Sequence, residues 1–225
     1  MDVRFDKEVS IPVGKVTVQG ELIIPLKAKA IVIFSHGSGS SRFSKRNQMV
    51  AKYLQEKKLG TLLFDLLTEE EDQHYHNRFD IDLLTKRLAG ATEWMERLPA
   101  AKDCRIGYFG ASTGAASALK AAAWLPHIGA VVSRGGRPDL AMNNLPKVEA
   151  PTLLIVGSLD YDVLQLNKEA YIKLECEKKL EVVEGATHLF EEPGKMEIVS
   201  ELAGNWFEKY LNQVRAVPYM HTGMR

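Results

Sequence analysis

The sequence predicts an α/β fold, a mostly parallel sheet with helices on both faces, and three observations carry that expectation. Short, largely apolar runs at 30–34, 61–65, 105–109, 128–132, 152–156 and 180–183 read as strands, of which 30–34 suits one buried on both faces and 61–65 the next buried strand. Segments with helical spacing lie between them, and strands alternating with helices at these intervals imply βαβ crossovers. Small-residue loops bearing reactive side chains follow four of the runs, where open α/β sheets build their sites.

Residues 3–13 and 16–24 alternate in polarity and are joined through Gly14, which predicts an antiparallel hairpin. After Pro25, the run 30–34 leads into the loop Ser35-His36-Gly37-Ser38-Gly39-Ser40-Ser41. That loop feeds a helix with Met49, Val50, Tyr53 and Leu54 on its apolar stripe and Gly60 as its stop. The strand 61–65 comes next, then a helix over 79–97 with Trp94, Met95 and Leu98 toward the core. Strand 105–109, an alanine-rich helix over 112–124 and strand 128–132 follow. The remainder reads as a short helix near 138–143, strand 152–156, helix 163–175, strand 180–183 and a final helix over 196–212. The longest irregular stretch is 68–78, acidic and then bearing His74 and His76. It reads as a solvated lid edge and not a metal site, because a flexible loop lacks the rigid geometry that ligands need.

The chain has 225 residues, read as one domain over 1–213 and a tail over 214–225. With 45% hydrophobic residues, it can bury about 70% of its unfolded surface without staples. Lys plus Arg and Asp plus Glu are each 29, so no global field draws in nucleic acid or anionic membrane. The charged N-terminus has no apolar leader and no run is long enough to span a bilayer, so the expectation is a cytoplasmic protein. Cys104 and Cys176 are too few for a disulfide framework and read as buried small hydrophobes. The tail after Val214 offers a segment for docking a second subunit in a homodimer.

Gly110-Ala111-Ser112-Thr113-Gly114 follows a strand and opens a helix, the setting in which G-x-S-x-G becomes a nucleophile elbow. The glycines are required because a sharp strand-to-helix turn leaves no room for side chains there. Ser112 then stands at a helix N-terminus with its hydroxyl exposed. A serine needs a base, and the base needs a carboxylate to hold its tautomer. Asp160 closes Gly157-Ser158-Leu159-Asp160 after one strand and His188 closes Gly185-Ala186-Thr187-His188 after the next, with Asp162 as a rival acid. The donors for a developing oxyanion are expected to be the backbone amides of Thr113 and Ser38. His36 is expected to pin the loop, and Asp65 to brace a neighbouring one.

On the His36-Gly37 loop, Gly110 to Gly114, Gly157 to Asp160 and Gly185 to His188, the chain resembles the α/β-hydrolase superfamily, most of all its dienelactone hydrolase-like branch. The resemblance runs over about 16–211. It implies an eight-stranded, mostly parallel sheet without a cap domain, a Ser-His-Asp triad, and neither metal nor cofactor. Dienelactone hydrolases use a cysteine nucleophile where this chain has Ser112, so the expected substrate shifts from a lactone to a small acyl ester. The expected activity is that of a carboxylesterase. Thioesterase, peptidase or acyltransferase chemistry on the same triad, and a non-catalytic binding protein on the same fold, are the alternatives. Arg42, Arg134 and Arg137 fall on the same rim as Ser112, where a planar guanidinium could grip an acidic group of the substrate. The ordinary alternative is pairing with neighbours such as Asp139 and Asp162.

Overall fold

A computed structural model describes residues 2–212. β1 (Val3–Val13) and β2 (Val16–Pro25) form the antiparallel hairpin, and Gly14 at φ +64° makes the turn. The chain continues through β3 (Ala30–Ser35), α1 (Lys45–Glu56), β4 (Gly60–Phe64), α2 (Glu69–Asp72) and α3 (Ile81–Arg97). Then come β5 (Arg105–Ala111), α4 (Thr113–Trp124), β6 (Ala130–Arg134), a 3-10 helix (Pro138–Lys147) and β7 (Thr152–Gly157). The last described elements are α5 (Tyr161–Lys173), β8 (Lys178–Val183) and α6 (Lys195–Leu211).

One eight-stranded sheet runs in the order β1-β2-β4-β3-β5-β6-β7-β8. β1 and β2, and β2 and β4, pair antiparallel, and every other neighbour pairs parallel. The alternation of side chains along β3 divides the core. Ile31 and Ile33 face the layer that contains Leu84, Leu88, Met95 and Leu119, while Val32 and Phe34 face Val50, Leu54, Val199 and Phe207. Helices therefore cover both faces, and the carboxyl ends of β3, β5, β6, β7 and β8 share one rim. No helix among the described residues is long and apolar enough to cross a membrane.

Three details differ from the sequence reading. β6 spans Ala130–Arg134 and not 128–132, because the Ile128 amide closes a turn on the Leu125 carbonyl at 3.0 Å. Arg134 therefore ends the strand instead of following it. The stretch 68–78 is ordered into α2 and a 3-10 turn (Tyr75–Phe79). Thr68 and Glu71 form a reciprocal capping box, and Arg78 forks onto the Asp72 carboxylate at 2.9 and 2.8 Å. Cys104 and Cys176 are half-buried free thiols, not fully buried ones. The expectation for the tail lies outside the described residues.

Candidate active site

The turn from β5 into α4 is built as the glycines require. Ser112 has φ +51° and ψ −122°, a conformation that costs a non-glycine residue energy and persists only where its surroundings impose it. Those surroundings are specific. The Ser112 amide donates to the Arg134 carbonyl at 3.2 Å, and the Ser112 carbonyl accepts from the Ala115 and Arg137 amides, each at 3.1 Å. A Cβ at Gly114 would collide with the Ser35 carbonyl, and one at Gly110 would meet the backbone of α4. α4 starts without a side-chain cap, so its first amides, Thr113 among them, have no acceptor within the helix.

The loop after β3 lies against this elbow, since a Cβ at Gly37 would sit 3.1 Å from Cβ of Ser112. His36 pins it. His36 Nδ1 donates to the Gly37 carbonyl at 2.9 Å, and Nε2 accepts the Leu66 amide at 3.0 Å. Burial pushes the imidazole below its usual pKa, in keeping with a neutral ring that accepts at Nε2. Asp65 braces the same loop by accepting the Arg42 amide at 2.8 Å and pairing with its guanidinium. One expectation changes here. The Ser38 amide is not directed at an open site, because it donates to Thr113 Oγ1 at 2.9 Å. The Thr113 side chain is buried and its hydroxyl needs a partner, which the neighbouring amide supplies.

The loops after β7 and β8 are stitched together. The Ser158 amide donates to the Val183 carbonyl, the Leu159 amide to the Ala186 carbonyl, and the Gly185 amide to Ser158 Oγ. A Cβ at Gly157 would collide with the Ala186 carbonyl. This close approach brings Asp160 and His188 together, with Nδ1 and Oδ2 2.6 Å apart. Asp160 stands at the N-cap of α5 but makes no cap bond, and the rival Asp162 is exposed on that helix. Gly135, at φ +51°, follows the strand next to Ser112, and a Cβ there would lie 3.1 Å from the His188 carbonyl and 3.6 Å from Cε1 of its ring. Ser112 Oγ makes no hydrogen bond to His188 among the described residues.

The three rim arginines part company. Arg42 pairs with Asp65, and Arg137 forks onto Asp139 at 2.9 and 2.8 Å. Arg134 is only 5% exposed and forms neither a hydrogen bond nor an ion pair among the described residues. An unpaired charge at such depth costs several kcal/mol. A cleft of about 480 Å³ lies beside the His36 loop, lined by Gln19, His36, Ser40, Arg42, Asp65 and Asp72, and it is offset from Ser112 and His188. Sequence reasoning missed Glu192, whose carboxylate accepts from the Thr187 amide and hydroxyl and so anchors the residue before His188. It also missed Arg46, which pairs with Glu191 at 2.8 Å. Neither had a local motif to announce it.

Compared with known proteins, residues 18–216 match the dienelactone hydrolase family. The chain belongs to that family. Among solved structures, a dienelactone hydrolase from Anabaena variabilis is 51% identical, with a TM-score of 0.91 over 94% of this chain and all of that one. Est1E from Butyrivibrio proteoclasticus superposes with a TM-score of 0.79 over 92% of this chain and 99% of its own, at 15% identity. At that identity it speaks for the shared fold alone. A Mycobacterium tuberculosis protein provisionally named a phosphoribosyl transferase is 53% identical over 207 residues. Those residues are 92% of this chain and 47% of the mycobacterial one, so the dienelactone hydrolase family member described here spans about half of that relative.

Proposed function

We propose that this dienelactone hydrolase family member is a serine hydrolase that cleaves small acyl esters through an acyl-enzyme. Ser112 Oγ attacks the ester carbonyl while His188 Nε2 takes its proton, and the Asp160 carboxylate holds the imidazole in the tautomer that leaves Nε2 free. The carbonyl oxygen, now negative, is met by the Thr113 amide at the α4 N-terminus and by the Ser38 amide, which leaves Thr113 Oγ1 for the stronger acceptor. The C–O bond breaks as His188 returns the proton to the departing alcohol. A water, deprotonated by His188, then releases the acid and regenerates Ser112.

The observation that carries this reading is the Asp160–His188 hydrogen bond at the ends of β7 and β8, on the same rim as a serine held at φ +51°. The phosphoribosyl transferase name of the mycobacterial relative belongs to a chain of about twice this length, and the groups gathered here suit acyl chemistry. Among the described residues no inserted cap lies between the strands of the sheet, which favours short acyl chains. The test is hydrolysis of a p-nitrophenyl ester panel by wild type and Ser112→Ala. The expected result is turnover by wild type that falls with acyl length and drops by about 10⁴-fold or more in the variant. Equal turnover by both proteins would overturn it.

A further inference from the structure

The cleft of about 480 Å³ beside the His36 loop takes no part in the proposed hydrolysis, since neither Ser112 nor His188 lines it. Its volume is nevertheless that of a small-molecule site. Three neighbouring strands build it. Thr17 and Gln19 come from β2, Ser40 to Phe43 from the chain after β3, and Asp65, Glu69 and Asp72 from the chain after β4, which lies between β2 and β3 in the sheet.

The charges in this cleft are largely committed. The Asp65 carboxylate takes the Arg42 amide and guanidinium, and the Asp72 carboxylate takes the fork of Arg78 at 2.9 and 2.8 Å. Glu69 alone keeps a carboxylate without a partner among the described residues, so no positive charge is left over to hold an anion. The neutral groups, by contrast, are open. The hydroxyls of Thr17 and Ser40 and the amide nitrogen of Gln19 have no protein partner among the described residues. The Ser41 and Thr68 hydroxyls accept the Phe43 and Glu71 amides, each at 3.2 Å, and still have a proton to donate. Phe43 joins this polar lining with a ring that is 60% exposed and carries the Arg42 guanidinium 4.2 Å from its centroid.

A hydrocarbon ligand would strand these donors away from water, and an anion would face Asp65, Glu69 and Asp72. A neutral molecule that donates and accepts at short intervals and also has a C–H face suits both the hydroxyls and the ring. We propose that the cleft is a second binding site, separate from the triad, for a neutral polyhydroxylated ligand, a sugar or sugar alcohol. Its hydroxyls bond to Gln19, Ser40 and Glu69, whose carboxylate can accept two of them at once, and its C–H face covers Phe43. The assignment stands whether or not Ser112 is the nucleophile.

The test is a ligand-detected NMR titration with glucose, xylose and sorbitol on wild type, Gln19→Leu, Phe43→Ala and Ser112→Ala. Gln19 and Phe43 are both exposed, and a melting curve on each variant checks that the fold is kept. At least one of the three polyols is expected to saturate wild type with a Kd on the order of 1 mM. Gln19→Leu and Phe43→Ala are each expected to weaken that binding about tenfold, and Ser112→Ala to leave it unchanged. Gluconate and glucamine, the anionic and cationic counterparts of sorbitol, test the ligand class, and both are expected to bind no more tightly than sorbitol. Tighter binding of either would overturn the neutral assignment. Saturation by none of the polyols, binding untouched by both cleft substitutions, or binding lost in Ser112→Ala would overturn the site.

Discussion

His188 Nδ1 and Asp160 Oδ2 lie 2.6 Å apart, joining loops whose host strands β7 and β8 are neighbours in the sheet. A carboxylate can only accept, so the proton sits on Nδ1 and Nε2 is left as a base. Asp160→Asn keeps the size but can present an N–H to Nδ1, which favours the opposite tautomer. We expect kcat/KM to fall about 10⁴-fold while the melting temperature moves little. Ester kinetics and a melting curve on the same preparation check this, and a loss smaller than tenfold contradicts it.

The bond from the Ser38 amide to Thr113 Oγ1 sets a resting contact against a catalytic one. Thr113→Val keeps the shape and removes the acceptor, leaving a part-buried amide unsatisfied until an oxyanion forms. The expected outcome is a lower melting temperature, equivalent to about 1–3 kcal/mol, together with a several-fold rise in kcat/KM on a neutral ester. A fall in both would show that the threonine hydroxyl is needed to position the loop.

His36 links the same loop to pH. Its folded pKa lies below the usual 6.5, because burial opposes the charge and protonated Nε2 could no longer accept the Leu66 amide. As pH falls through 6.5 the unfolded chain takes up a proton that the folded chain resists. The stability from this group is therefore complete above that value, is lost below it, and levels off under the folded pKa. Melting temperatures of wild type and His36→Gln between pH 8 and pH 5, about the span in which histidine changes charge, are expected to converge as pH falls. Parallel curves would contradict the assignment.

The parts of this site that were legible in sequence are those written locally. Gly110 and Gly114 announce the elbow because their steric demand acts within a few residues, and Asp160 and His188 follow apolar runs that can be strands. What stayed hidden depends on which side chains meet across elements. The three arginines look alike in sequence, yet Asp65 satisfies Arg42, Asp139 satisfies Arg137, and the pairing geometry alone singles out Arg134. The Thr113 hydroxyl reaches Ser38 across 75 positions, which no spacing rule encodes. The 68–78 stretch does carry a local signal, since Thr68-x-x-Glu71 is a capping box set in an acidic run that reads as solvated loop.

The central claim is that Ser112 is an activated nucleophile, and covalent capture tests it most directly. Wild type is incubated with a fluorophosphonate probe, and the intact mass and the modified peptide are read by mass spectrometry. The account predicts one adduct, on the peptide carrying Ser112, that is absent from Ser112→Ala and slowed strongly in Asp160→Asn. A folded wild-type protein that takes up no probe, or takes it up elsewhere, would contradict it.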